Sequence, residues 1–167
     1  MRRKLAAGNW KMNGLSGQLS EIEKLCAAHP DPKVEIMIAP PATLISTMVV
    51  TAAGHPLEVA GQDCHAQESG AHTGDISAAM LKDAGASHVI IGHSERREDH
   101  SESDDDVRAK ARAALAAGLK VVICVGETLE EREAANTLEI IAGQLAGSLP
   151  DVLTGENTVV AYEPVWA

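Results

Sequence analysis

The stretch Ile90-Ile91-Gly92-His93-Ser94-Glu95-Arg96-Arg97 passes in one step from apolar to charged. The run His88–Ile91 ahead of the break is short and branched, the composition of a strand buried on both faces. Five other runs share this form: Leu5–Gly8, Glu35–Ala39, Leu57–Gly61, Val121–Val125 and Thr158–Tyr162. The six end near positions 9, 39, 61, 92, 125 and 162, so they recur every 22 to 37 residues. A strand with its crossover helix and two loops needs roughly thirty.

Helical patterns fill the intervals. Leu19, Ile22 and Leu25-Cys26 recur at three and four residues, as do Leu44-Ile45, Met48-Val49 and Ala52. Val107, Ala111 and Ala114-Leu115 repeat the pattern, then Leu138, Ile141 and Leu145. Pro41 suits a first helical turn, and Thr128-Leu129-Glu130-Glu131 reads as a capping box. The acidic run Glu102–Asp106 favours the positive end of a helix dipole, while Gly85 and Gly118 sit where helices stop.

Strands alternating with helices predict a parallel sheet. Polar residues decide whether it closes. Asn9-Trp10-Lys11, Gln62-Asp63, His93-Ser94-Glu95, Gly126-Glu127 and Glu163 each follow a strand. In a closed (β/α)8 barrel those ends meet at one mouth, whereas in an open sheet they spread along a line. The expectation is therefore an α/β chain with a (β/α)8 TIM barrel fold. Such a barrel has eight strands and about 250 residues. The 167 residues here suffice for one domain that supplies about the first six βα units, with two strand edges left open. Residues 1–167 are thus expected to be a single barrel domain whose C-terminal part is missing.

Composition narrows the function. Hydrophobic residues make up 45%, charged residues 23% and aromatic residues 2%, with no Phe, so small and branched aliphatics must fill the core. A net charge of −10 argues against nucleic acid and anionic membranes as partners. A small anion remains possible if a local positive pocket exists. Cys26, Cys64 and Cys124 are scattered and odd in number, which predicts reduced thiols and a cytoplasmic location. The basic start Met1-Arg2-Arg3-Lys4 precedes no long apolar run.

Three segments carry chemistry. Asn9 offers an amide to an oxygen, and Lys11 offers a compact positive charge. His93, at a strand end before a short helix, sits near a positive helix terminus that favours the neutral imidazole. Such a ring can donate a proton to a carbonyl oxygen and take it back. Glu163, directly after a buried strand and stiffened by Pro164, is a candidate general base. Cys64 and His65 are adjacent and diverge on an extended chain, so no metal is expected. No G-x-G-x-x-G or P-loop follows a strand, so no nucleotide cofactor is expected either.

Taken together, GNWKMN at 8–13, ESGAHTGDISAAMLKDAG at 68–85, IIGHSERR at 90–97, VICVGETLEER at 122–132 and AYEPVWA at 161–167 resemble the signature blocks of the triosephosphate isomerase family. The resemblance runs over the whole chain. It implies interconversion of dihydroxyacetone phosphate and D-glyceraldehyde 3-phosphate, in glycolysis and gluconeogenesis, without metal or organic cofactor. It implies Glu163 as the base, His93 as the neutral electrophile, Lys11 as the positive charge at phosphate and oxyanion, and Asn9 as a holder of the oxygen. Ser94, Glu95 and Cys124 would support them. It also implies a homodimer whose loop Gln67–Asp75, with Thr73 at its tip, enters the partner, Thr73, Gly74 and Asp75 lying in the dimer interface. His72, Asp75 and Asp99-His100 depart from the family's usual residues at the interface loop and the short helix. The family's lid and phosphate cradle would follow Ala167. The same residues also admit a catalytically incomplete barrel fragment that only self-associates.

Overall fold

The computed structural model describes residues 3–166; Met1 and Arg2 of the basic start and Ala167 of the last block lie outside it. Six parallel strands form one sheet in the order β1 (Leu5–Asn9), β2 (Glu35–Ala39), β3 (Leu57–Gly61), β4 (His88–Ile91), β5 (Lys120–Val125) and β6 (Thr158–Tyr162). Every strand starts within one residue of its expected run. Helices α1 (Ser20–Ala28), α2 (Ile45–Thr51), α3 (Ala78–Asp83), α4 (Ser94–Asp99), α5 (Asp104–Ala116), α6 (Leu129–Glu133) and α7 (Thr137–Ser148) fill the crossovers.

Alternation along the strands separates two apolar layers. Val59, Val89, Ile91, Val121 and Ile123 face the helices and pack with Ile22, Ile45, Met48, Leu81, Val107 and Ala111. Met37, Ala39, Ala60, Ile90, Val122 and Cys124 face the other way and form a second, smaller cluster inside the curve of the sheet. Both faces of the central strands are therefore dry, as the uninterrupted apolar runs require.

One side chain shows how strongly the sheet curls. Arg3, just ahead of β1, donates to the carbonyl of Glu156, just ahead of β6, at 3.1 Å, and to Glu35 at 3.1 Å. In a flat sheet five inter-strand spacings would hold β1 and β6 about 24 Å apart. No single side chain spans that distance, so the two ends bend toward each other as in a barrel.

Local signals behave as their chemistry requires. Thr128 accepts from the Glu131 amide while Glu131 reaches back to the Thr128 amide, closing the expected capping box on α6. Gly85 and Gly118 take left-handed φ of +94° and +75° beyond α3 and α5. The acidic run opens α5 as expected, with Asp104, Asp105 and Asp106 in its first turn and Ser103 capping the helix in a box with Asp106. Glu102 instead turns inward to ion pairs with Arg96 and Lys110 at 2.6 and 2.5 Å.

His88 is the buried polar exception of β4. Its Nδ1 lies 2.8 Å from the Ser87 hydroxyl and 3.7 Å from Glu58. Burial holds this imidazole below its ordinary pKa, and Glu58 counters only part of that. As pH falls, the unfolded chain binds the proton first, so folded-state stability from this group is present above about pH 6.5 and lost below it. Thermal unfolding followed at pH 7 and pH 5 should therefore show a smaller drop in Tm for His88→Gln than for the unaltered chain. An equal drop in both would exclude His88 as a source of acid sensitivity.

Candidate active site

The ends of β1, β4 and β6 bring Asn9, Lys11, His93 and Glu163 to one rim. A cleft of about 430 Å³ is lined by Asn9, Lys11, Gln62, His93, Glu95 and Asp75, among others. A second cavity of about 410 Å³ lies beside it, bounded by Ser94, Cys124, Gly126, Gln144 and Glu163.

Lys11 follows β1 with a left-handed φ of +52°. For a residue with a Cβ this costs about 1 kcal/mol or more, so its neighbours must impose it. They do so at both ends of the residue. The Lys11 amide donates to Asn9 Oδ1 at 2.9 Å, and the Lys11 carbonyl accepts from Gln62 Nε2 at 2.8 Å. Gln62 also donates to Asn9 Oδ1 at 3.1 Å and to the Ala39 carbonyl at 2.9 Å. The ammonium reaches Glu95 Oε1 at 2.8 Å. That hydrogen bond raises the Lys11 pKa against its partial desolvation, with Glu163 adding a smaller push. The same bond lowers the Glu95 pKa, helped by His93. Lys11 is thus a fixed cation and Glu95 a fixed anion.

His93 is buried at the N-terminus of α4. The Glu95 amide donates to its Nδ1 at 3.3 Å. An accepting Nδ1 in a neutral ring places the proton on Nε2. That nitrogen faces Glu163 Oε2 at 3.4 Å. Donor and carboxylate therefore address one point from two sides.

Glu163 is held through its main chain. Its amide donates to the Val125 carbonyl at 3.0 Å. A Cβ on Gly126 would lie 1.8 Å from the Glu163 carbonyl oxygen, so only glycine permits this approach. Gln144 of α7 brackets Gly126 on both polar groups, at 2.9 and 3.0 Å. Cys124 lies just below; burial, with Glu163 nearby, pushes its thiol up to about 12, so it stays a neutral packing group.

Glu127 was visible in the sequence only as a polar residue after a strand. It is fully buried, and its Oε1 accepts from Tyr162, Trp166 and Arg132 at 3.1, 3.3 and 3.4 Å. Burial pushes its carboxyl up, but its backbone amide and these donors outweigh that and hold the pKa below the ordinary range. The Arg132 guanidinium also lies over the Trp166 ring at 4.6 Å. Glu127 thereby anchors the residues on both sides of Glu163.

Thr73, Gly74 and Asp75 stand exposed on their loop, with Gly74 and Asp75 on the rim of the first cleft. In the same loop His65, His72 and Asp75 bring possible ligand atoms within 4.8 Å of one another. His65 Nδ1 accepts from the Gln67 amide at 3.0 Å, which puts its proton on the nitrogen turned toward Asp75 at 3.9 Å. His72 Nε2 meets Gln67 Oε1 at 3.2 Å. These imidazoles are engaged in bracing the loop.

Comparison with known proteins agrees with this geometry. A model of the family described as triosephosphate isomerase matches residues 4–167. The chain belongs to the triosephosphate isomerase family. It is 64% identical over 167 residues to the triosephosphate isomerase of Ruegeria sp. (strain TM1040), and covers 67% of that relative. It is 62% identical to that of Dinoroseobacter shibae, covering 68%. The crystal structure of triosephosphate isomerase from Bartonella henselae superposes with a TM-score of 0.94 at 53% identity, over 99% of this chain and 69% of that one. The chain thus spans about two thirds of the length of these relatives. Its six strands and their helices belong to the family's (β/α)8 barrel, and its function is isomerisation of triose phosphate. Among the described residues, no helix is long and apolar enough to cross a membrane.

Gly126 gives the sharpest test of how the site is built. Gly126→Ala should displace the Glu163 main chain and lower kcat by about tenfold or more, since small misplacements of reacting groups are costly. Steady-state kinetics on the folded variant checks this, and an unchanged kcat would show that the close approach is immaterial.

Proposed function

We propose that Asn9, Lys11, His93 and Glu163 carry out the isomerisation of dihydroxyacetone phosphate and D-glyceraldehyde 3-phosphate by proton transfer through an enediolate. The observation that carries this reading is the facing pair, His93 Nε2 and Glu163 Oε2 at 3.4 Å. Glu163 removes a proton from the carbon next to the carbonyl, and the electrons move onto the carbonyl oxygen. The Nε2–H of His93 donates to that oxygen, and Lys11 stabilises its negative charge. His93 gives its Nε2 proton to that oxygen and takes the proton of the adjacent hydroxyl, so the adjacent carbon becomes the new carbonyl while the Glu163 carboxyl returns its proton to the former carbonyl carbon. Asn9 holds Lys11 in its left-handed turn and offers its own amide to the substrate. Glu95 supports twice, through its backbone to His93 and its side chain to Lys11. Ser94 and Cys124 line the adjacent cavity. This chemistry requires no metal or organic cofactor, nucleic acid or membrane.

The same reading makes residues 1–167 one barrel domain working in the cytoplasm as a homodimer. Three free cysteines suit a reducing compartment. The exposed loop with Thr73, Gly74 and Asp75 at its tip is the element offered to the second copy. Sedimentation equilibrium should give twice the chain mass of 17.5 kDa, and Gly74→Arg should shift it to monomer. A discrete monomer for the unaltered chain would refute the dimer, and large heterogeneous aggregates without turnover would favour a self-associating fragment.

Glu163→Gln removes the base at constant shape. It should lower kcat by about 10²- to 10⁴-fold with KM nearly unchanged. Lys11→Met should raise KM and lower kcat together, because its charge serves both the bound anion and the developing oxyanion. A Glu163→Gln protein that loses only affinity would contradict the role of base.

A further inference from the structure

Arg97 was expected only as part of a charged cluster, yet its guanidinium is the most fully engaged in the molecule's rim. It belongs to α4, four residues after His93, and its side chain is only 17% exposed. Its Nε donates to the Gly92 carbonyl at 2.9 Å, and its Nη2 to the Cys124 carbonyl at 3.4 Å. Nη1 binds Asp104 at 2.7 Å, and Nη2 also donates to the fully buried Ser148 hydroxyl at 2.9 Å. Ser148 in turn donates to Asp104 at 2.8 Å.

The two carbonyls matter most. Gly92 O belongs to the peptide that enters His93. Gly92 has φ of +68°, and a Cβ there would stand 3.1 Å from Arg97 Nη2 and 2.9 Å from Val107. Cys124 O lies at the end of β5, one residue before the carbonyl that accepts from the Glu163 amide. One rigid plane therefore touches the strand end that aims the acid and the strand end that holds the base. An apolar residue could fill this space without the cost of a desolvated charge. What the guanidinium adds is several donors in a fixed fork, which a Lys cannot supply.

We propose that Arg97 is a positioning residue for the proton transfer, setting the His93 peptide against the end of β5 that carries Glu163, with Asp104 and Ser148 holding its plane. This rests on the reading of His93 and Glu163 as acid and base. The test is Arg97→Met, which keeps the aliphatic stem and removes the donors. Two quantities are read on the whole chain: steady-state kinetics, and the ring ¹⁵N signals of His93 without substrate. Expected are a fall in kcat of about 10- to 100-fold with KM changed less than about twofold, and displaced or broadened His93 ring signals. A folded variant with unchanged kcat, or with His93 signals identical to those of the unaltered chain, overturns the proposal. If Arg97→Met does not fold, Ser148→Ala removes one acceptor and keeps the charge; displaced His93 signals then support the brace and unmoved signals overturn it. If the unaltered chain lacks turnover, the acid–base reading fails, and the substrate-free ring signals still decide for or against Arg97.

Discussion

Parallel pairing commits every strand of this sheet to end on the same side, and the site depends on that constraint before any side chain is considered. Neighbours in the sheet are also neighbours in sequence, so each loop after a strand lies beside the next. Curvature then brings the far ends together, as the single side chain of Arg3 records on the opposite rim. Register is equally strict. A slip of one residue in β5 would exchange Val122 and Cys124, which face the inside, with Val121 and Ile123, which face the helices. It would also carry the Val125 carbonyl away from the Glu163 amide. Packing and catalysis are therefore served by the same alignment.

The charge balance works on a smaller scale. A chain of net charge −10 must still attract an anion, and it does so with very few fixed cations and dipoles. Lys11 is held by its own backbone contacts to Asn9 and Gln62 and kept protonated by Glu95. The first turn of α4 contributes an amide instead of a charge. By donating to Nδ1 of His93, it selects the tautomer that presents N–H to the cleft. In the proposed isomerisation, an N–H donor aimed into the cleft suits an oxygen that becomes negative only during the reaction, because it adds little to ground-state binding.

Sequence reading reached the strands because burial on both faces demands uninterrupted branched residues, and β4 with its four buried positions shows this plainly. It reached Asn9, Lys11, His93 and Glu163 because polar residues directly after such strands have one rim to occupy. It missed the contacts that link groups distant in the chain. Gln62 acts on Asn9, 53 residues away, and Arg97 on Ser148, 51 residues away. Glu127 acts on Trp166 at a separation of 39. Spacing within a motif carries no trace of such contacts, although position after a strand flagged both Gln62 and Glu127. Within the acidic run, Glu102 reads as a dipole-favouring carboxylate like Asp104, Asp105 and Asp106, but Lys110 and Arg96 draw it inward, and Ser103 caps α5.

Glu127 shows why these distant contacts are worth a buried charge. Desolvating a carboxylate is expensive, and its second oxygen, Oε2, finds no partner among the described residues. The arrangement survives because Oε1 gathers three donors from two segments. Tyr162 precedes Glu163 by one residue and Trp166 follows it by three, so one oxygen pins the Glu163 segment from both directions along the chain. An apolar core at that place would avoid the desolvated charge, but it would leave Glu163 on an untethered strand end. Stability is thus given up beneath the rim, and geometry at the rim is what it secures.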